Sequence, residues 1–313
     1  KTRKKISMFT NVTAGDVFSC HDVKSIFMIP QMLYEQGLVE VIFKKFAKVG
    51  YVNASENWDT WNTIVNSLQI TENPIKIAMV GKYVTLADSY VSVNEALKHA
   101  SASINSSVSI DWIDSETLNG NLKKLSGYHG ILVPGGFGTR GSEGIIETSS
   151  FALEQNIPFL GICFGFQLAA VSFGRNVCNL EEANSTEILA DTEHPIVSLL
   201  PEQEGISDMG GSLRLGANKI NVNKNSSAYK IYNKEIIYKR HRHRYEFNTK
   251  YREQFEKNGM NFSAESDNGK RMEILEVPSH KFFFGVQFHP EFSSRPGFPE
   301  NIFKAFVSTA LQK

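Results

Sequence analysis

The chain has 313 residues, 41% of them hydrophobic, with 33 Lys+Arg against 33 Asp+Glu. Its near-zero formal charge removes the global electrostatic case for a nucleic acid or an anionic membrane as partner, and its length allows one large or two ordinary domains. The three cysteines, Cys20, Cys163 and Cys178, form no close pair, which argues against a disulfide framework or a metal cluster and for a reducing, cytoplasmic setting.

The start, Lys1-Thr-Arg-Lys-Lys5, is basic, has no secretory apolar region after it and lacks an initiator Met, as expected of a piece of a longer chain. No run approaches the roughly 18 apolar residues of a membrane-spanning helix. Ile6 to Phe9 reads as a strand, and apolar patterns surround Phe27 to Leu33 and Val39 to Phe46. Residues 51–74 are polar, hold Trp58 and Trp61, and end at Asn73-Pro74, a natural boundary. The expected organisation is therefore a segment 1–50, a linker 51–74 and a domain 75–313.

Within that domain Ile75 to Val80, Val108 to Ile113 and Gly130 to Val133 read as strands. Ser89 to Ile104 and Ile145 to Glu154 read as helices, the first with Val93, Ala96, Leu97 and Ala100 at helical spacing. Ile157 to Ile162 is a buried strand leading into a helix from Phe164 to Phe173. Beyond residue 176 the alternation breaks: Ser212 to Val222, Tyr238 to Phe247 and Met272 to Val277 look like antiparallel strands. Phe282 to Phe288 is a further strand, and Pro299 to Leu311 a closing helix. The fold class is α/β, a doubly wound, mostly parallel and flavodoxin-like sheet with an antiparallel addition. Ligands of such sheets sit beyond the carboxyl ends of the strands.

Cys163 stands at one of those ends. A thiol between Gly161 and Gly165 at a strand-to-helix turn is a nucleophile elbow, in which small neighbours let strand and helix approach and the turn projects the side chain. The helix N-terminus favours thiolate, the attacking species. In His289-Pro290-Glu291 the His and the Glu are two apart and share a face, so the carboxylate can orient the imidazole as base for the thiol. Pro134-Gly-Gly-Phe-Gly138 lacks both the P-loop and the dinucleotide spacing; its Gly136 N–H, with that of Phe164, suits an oxyanion instead. In Lys239-Arg-His-Arg-His-Arg244 the arginines alternate with histidines, so one Arg can grip a small carboxylate, while a solvated strand face or a nucleic-acid patch stays open as the plainer reading. Gln167 falls on the Cys163 face of its helix, and Glu187 reads equally well as a turn carboxylate.

Together these residues resemble the class I, triad-type glutamine amidotransferase domain and, more closely, the CTP synthase family. The supporting stretches are Val80-Gly-Lys-Tyr83, Ser92 to His99, Leu132 to Gly138, Gly161 to Gln167, Ala183 to Glu187, Met209 to Gly216, Arg240 to Glu246 and Gln287 to Phe292. The resemblance implies that Cys163 forms a glutamyl thioester and releases ammonia, that His289 is base and acid, and that Glu291 orients it. It gives the oxyanion to Gly136 and Phe164, and glutamine to Gly136, Phe137, Gln167, Glu187 and Arg244. Residues 1–50 resemble the tail of the family's synthetase (amidoligase) domain. By that likeness Lys5 contacts a pyrimidine nucleotide and His21, Asp22 and Val23 contact ATP. Arg140 is implied as a contact for GTP, the family's activator. The resemblance implies that the glutaminase domain itself needs no cofactor or metal, and that the family's full enzyme uses ATP and Mg²⁺ to aminate UTP to CTP and assembles as a homotetramer. Two departures stand out: Phe164 and Phe166 replace the usual Leu and Met beside the thiol, where they are expected to alter the pocket lining, and Met28 replaces a basic residue. The short stretch Pro201 to Asp208 suggests a eukaryotic source. The alternatives are another class I amidotransferase of the GMP or anthranilate type, which would lack residues 1–50, and an inactive assembly domain.

Overall fold

The computed structural model describes residues 1–46, 55–70, 72, 74–84, 86–118, 120–199 and 213–312. Two compact units divide the chain, Lys1–Ile70 and Thr71–Lys313.

The first unit holds the helices α1 (Thr2–Thr10), α2 (Ile29–Glu35), α3 (Leu38–Lys45) and α4 (Ser55–Ser67). The strand expected at Ile6 to Phe9 is instead part of α1. Among the described residues of this unit there is no other strand to pair with, so a helix is the one regular conformation that satisfies these backbone groups internally. Pro30 opens α2 where its missing N–H costs nothing. Gly37, at φ +80°, makes the turn into α3. Trp61 Nε1 donates to the Phe27 carbonyl at 3.0 Å, and the Trp58 ring packs on Tyr34 with centroids 4.8 Å apart. These contacts of the two half-buried indoles tie α4 to the first unit, which runs through Ile70. Among the described residues no single helix is long and apolar enough to cross a membrane; α2 and α3 reach that length only as a pair bent by 64°.

The second unit begins with β1 (Ile75–Gly81), α5 (Val91–Ala102), β2 (Val108–Asp114), β3 (Gly130–Val133), α6 (Ser142–Glu154), β4 (Phe159–Ile162) and α7 (Phe164–Asn176). Then come β5 (Ala183–Ser185), β6 (His194–Ser198), β7 (Arg214–Val222), α8 (Ser227–Tyr232), β8 (Ile236–His243) and β9 (Glu246–Phe247). The chain closes through α9 (Arg252–Lys257), β10 (Asn261–Ser266), β11 (Arg271–Glu276), β12 (Phe283–Val286) and α10 (Asn301–Leu311).

One sheet runs β2-β1-β3-β4-β12-β11-β10-β7-β8, and β5, β6 and β9 form a second, small one. The first five strands are parallel, in the doubly wound order that reverses direction beside β1. The last four join antiparallel. β3 and β4 are buried along their whole length, which is why they read as unbroken apolar runs. On one sheet face α6 and α7 cover a core containing Phe159, Phe166, Phe173 and Phe255. On the other, α5 and α10 cover Met79, Leu97, Phe303 and Phe306. Of the expected antiparallel strands, Tyr238 to Phe247 breaks after His243 and resumes as β9 in the other sheet. Ser212, Met209 and the stretch Pro201 to Asp208 lie outside the described residues.

Candidate active site

Four neighbouring parallel strands, β1, β3, β4 and β12, deliver Lys82, Gly135, Cys163 and His289 to one rim of the sheet. Cys163 sits between β4 and α7 with φ +53° and ψ −97°, a conformation that costs a side-chain-bearing residue roughly 1–3 kcal/mol. The surrounding backbone enforces it. Cys163 N donates to Val286 O at 2.7 Å. The flanking glycines have no room for a side chain: a Cβ on Gly161 would lie 2.6 Å from Gly165 O, and one on Gly165 would lie 2.4 Å from Val133 O. Strand and helix touch through these two positions, as the elbow requires.

Cys163 is only 5% exposed, yet it opens into a cavity of about 940 Å³ whose walls include Gly136, Gln167, Glu187, Arg244 and His289. His289 Nδ1 lies 2.7 Å from Glu291 Oε1, and the Cys163 sulfur acts on the same ring from the other side of Gly135. Burial alone would lower the His289 pKa. The sulfur and the Glu291 carboxylate outweigh it and raise the pKa to about 10, so the ring keeps a second proton well past neutrality. Gly135 packs between the two groups: a Cβ there would sit 3.0 Å from His289 Cε1 and 3.7 Å from Cys163 Cβ.

The glycine loop faces the start of α7. A Cβ on Gly136 would meet the Phe164 ring at 3.5 Å, so Gly136 and the residue after the nucleophile are adjacent. Glu187 Oε1 accepts the Gly138 N–H at 2.8 Å, which places this carboxylate at the cavity wall rather than in a free turn. Gln167 Nε2 donates to Tyr245 O at 2.9 Å and lies 3.3 Å from Gln287 Oε1. Gln287 Nε2 in turn reaches the Cys163 sulfur at 3.8 Å. Sequence reasoning quoted Gln287 without giving it a role, although it is two residues from His289 and therefore shares its face.

On β8 the basic run splits as the alternation demands. Arg240 and Arg242 are exposed, and His241 and His243 are buried. Burial, with His241 and Arg214 nearby, lowers the His243 pKa to about 3 and keeps that ring neutral. Arg244 and Tyr245 follow the strand and line the cavity. Phe137 is exposed and packs tilted against Tyr83 with centroids 5.9 Å apart.

Phe164 and Phe166, expected to change the lining, are buried in the core on the α7 side; the helix turns both rings away from the cavity. Arg140 is exposed outside it, 2.9 Å from Glu116, and donates to the Lys82 carbonyl. Lys5 is exposed on α1, and His21 and Asp22 are exposed in coil. Among the described residues no hydrogen bond or ion pair joins Lys5, His21, Asp22 and Val23.

Residues 85–309 match the family described as glutamine amidotransferase class-I, and residues 1–48 match the CTP synthase N-terminus. CTP synthase of Thermococcus kodakarensis is 46% identical over 99% of this chain and 58% of its own length. That of Halalkalibacterium halodurans is 45% identical over the same shares. The chain thus spans somewhat over half the length of these curated relatives. The solved glutaminase domain of Trypanosoma brucei CTPS, which holds acivicin, is 37% identical with a TM-score of 0.72, covering 76% of this chain and 94% of its own. The elbow cysteine, the His–Glu pair and these matches agree: the chain belongs to the class I glutamine amidotransferase family, its second unit corresponding to the glutaminase domain of a CTP synthase.

Proposed function

We propose that Cys163, His289 and Glu291 hydrolyse glutamine to glutamate and ammonia. The observation that carries this reading is that Cys163 and His289 share one cavity wall, with Glu291 held on the His289 ring at 2.7 Å. Glutamine enters with its α-carboxylate toward Arg244 and its ammonium toward Glu187, beside Phe137 and Gln167. The Cys163 sulfur attacks the side-chain carbonyl carbon, and the C=O electron pair moves onto oxygen beside the N–H groups of Gly136 and Phe164. The proton from the sulfur, held on His289, passes to the leaving nitrogen as the C–N bond breaks, giving ammonia and a thioester. Water then gives a proton to His289 and attacks the thioester. The returning C=O bond expels sulfur, and glutamate leaves.

Residues 1–48 support placing this domain in a longer enzyme that uses the ammonia to aminate UTP at the expense of ATP. By family likeness Lys5, His21, Asp22 and Val23 would contact the nucleotides of that longer enzyme, and in this chain Lys5, His21 and Asp22 are exposed. GTP control through Arg140, a homotetramer and a cytoplasmic location complete the proposal by family likeness. The test is glutamate release: the chain should produce it, and Cys163→Ala should abolish it. Unchanged release in that variant refutes the assignment.

A further inference from the structure

Lys82 belongs to no catalytic step described so far, yet it is almost completely buried, with 4% of its surface exposed. Its ammonium donates to two carbonyls of the glycine loop, Phe137 O at 2.9 Å and Gly138 O. It also sits 4.1 Å above the centroid of the Phe164 ring. The peptide unit joining Phe137 to Gly138 is therefore held at both poles. Its C=O is taken by Lys82, and its N–H by Glu187 Oε1 at 2.8 Å. A cation lies on the carbonyl side and an anion on the amide side, matching the peptide's own dipole.

This matters because the loop Pro134-Gly-Gly-Phe-Gly138 contains three glycines in five residues. Such a backbone has the widest choice of φ and ψ and the largest entropy to lose on ordering. Nothing intrinsic to it aims the Gly136 N–H at a reacting carbonyl. Lys82 supplies that order from three directions: it fixes two loop carbonyls, it lies along the Phe164 ring, and its stem would touch a Cβ on Gly136 at 3.9 Å.

We infer that Lys82 is a positioning residue for the oxyanion site, pinning the Phe137–Gly138 peptide against Glu187 so that the neighbouring N–H groups point at the developing oxygen charge. The inference rests on the glutaminase reading above. Lys82 is not among the residues that line the cavity, and its ammonium contacts the loop carbonyls and the Phe164 ring. It acts through the loop, and its effect appears where negative charge builds on oxygen.

The test uses the whole chain with Lys82→Met, which keeps the stem and removes the donors. Glutamate release should lose about 10- to 100-fold in kcat, with KM changed less than about threefold. Binding of a glutamine-derived aldehyde, which forms a tetrahedral adduct on Cys163, should weaken by the same factor as kcat/KM. Alkylation of Cys163 by iodoacetamide displaces iodide and builds no oxyanion, so its rate should stay within about twofold. Equal loss in all three readouts marks a collapsed pocket and overturns the inference, as does a wild-type kcat. If the Met variant does not fold, Lys82→Arg decides, because it keeps donors for both carbonyls. It should hold kcat within about tenfold and bind the aldehyde normally; a folded Arg variant as inactive as Cys163→Ala overturns the inference. A wild-type chain that releases no glutamate refutes the glutaminase reading itself, a distinct result.

Discussion

Glu291→Gln probes the acid–base pair most directly. Gln can still accept from His289 Nδ1–H, so the ring keeps its orientation while the negative charge is lost. With the heavy atoms 2.7 Å apart and the charge centres about 4 Å apart, an effective dielectric of 20 gives an attraction of about 4 kcal/mol. The two side chains are 14% and 7% exposed, and screening through the cavity trims this to roughly 2–3 kcal/mol, or about two pK units. The His289 pKa should therefore fall from about 10 in the wild type to about 8 in the variant. Losing the same energy from the imidazolium-like step lowers kcat about 30- to 150-fold.

The assays are an NMR titration of the His289 ring and glutamate-release kinetics. Stability gives a third readout. A histidine whose pKa is raised by folding adds stability that is fully present below its ordinary value of 6.5 and fades as pH rises through its folded value of about 10. The wild type should lose urea resistance progressively across that window, and the variant should complete the loss by about pH 8. An unshifted titration with kcat within about threefold of wild type would refute the reasoning.

Gly165→Ala sets a methyl against Val133 O, an overpacking that should cost about 2–3 kcal/mol and lower Tm by about 5–10 °C in calorimetry; an unchanged Tm counts against the close strand–helix contact. Arg244→Met should raise KM for glutamine by about 10- to 100-fold with a smaller change in kcat, the signature of lost substrate binding; a kcat-only effect would contradict its placement. Gln287→Leu removes the amide beside the sulfur and should slow glutamate release about 3- to 10-fold, with release at the wild-type rate as the opposing result.

The parallel strands were readable because burial on both faces leaves unbroken apolar runs, as in β3 and β4. The elbow was readable because only Gly fits at 161 and 165. The short strands β5 and β6 were missed: three and five residues with Asn, Ser, His and Pro carry no periodic signal. α1 was misread because Ile6, Met8 and Phe9 look like a strand, whereas strand formation depends on a partner elsewhere in the chain. Lys82 and Gln287 escaped for another reason. Their roles come from what faces them across the sheet rim, Phe137, Gly138 and Cys163, and spacing along one element carries no record of that.

β12 occupies the slot between β4 and β11, yet it is laid down some 120 residues after the elbow it pairs with. A nascent chain that has finished β4 and α7 already displays its sulfur, but neither the imidazole nor Gln287 exists to attend it. The proposed triad is therefore incomplete until β12 and the turn after it have been synthesised and paired with β4.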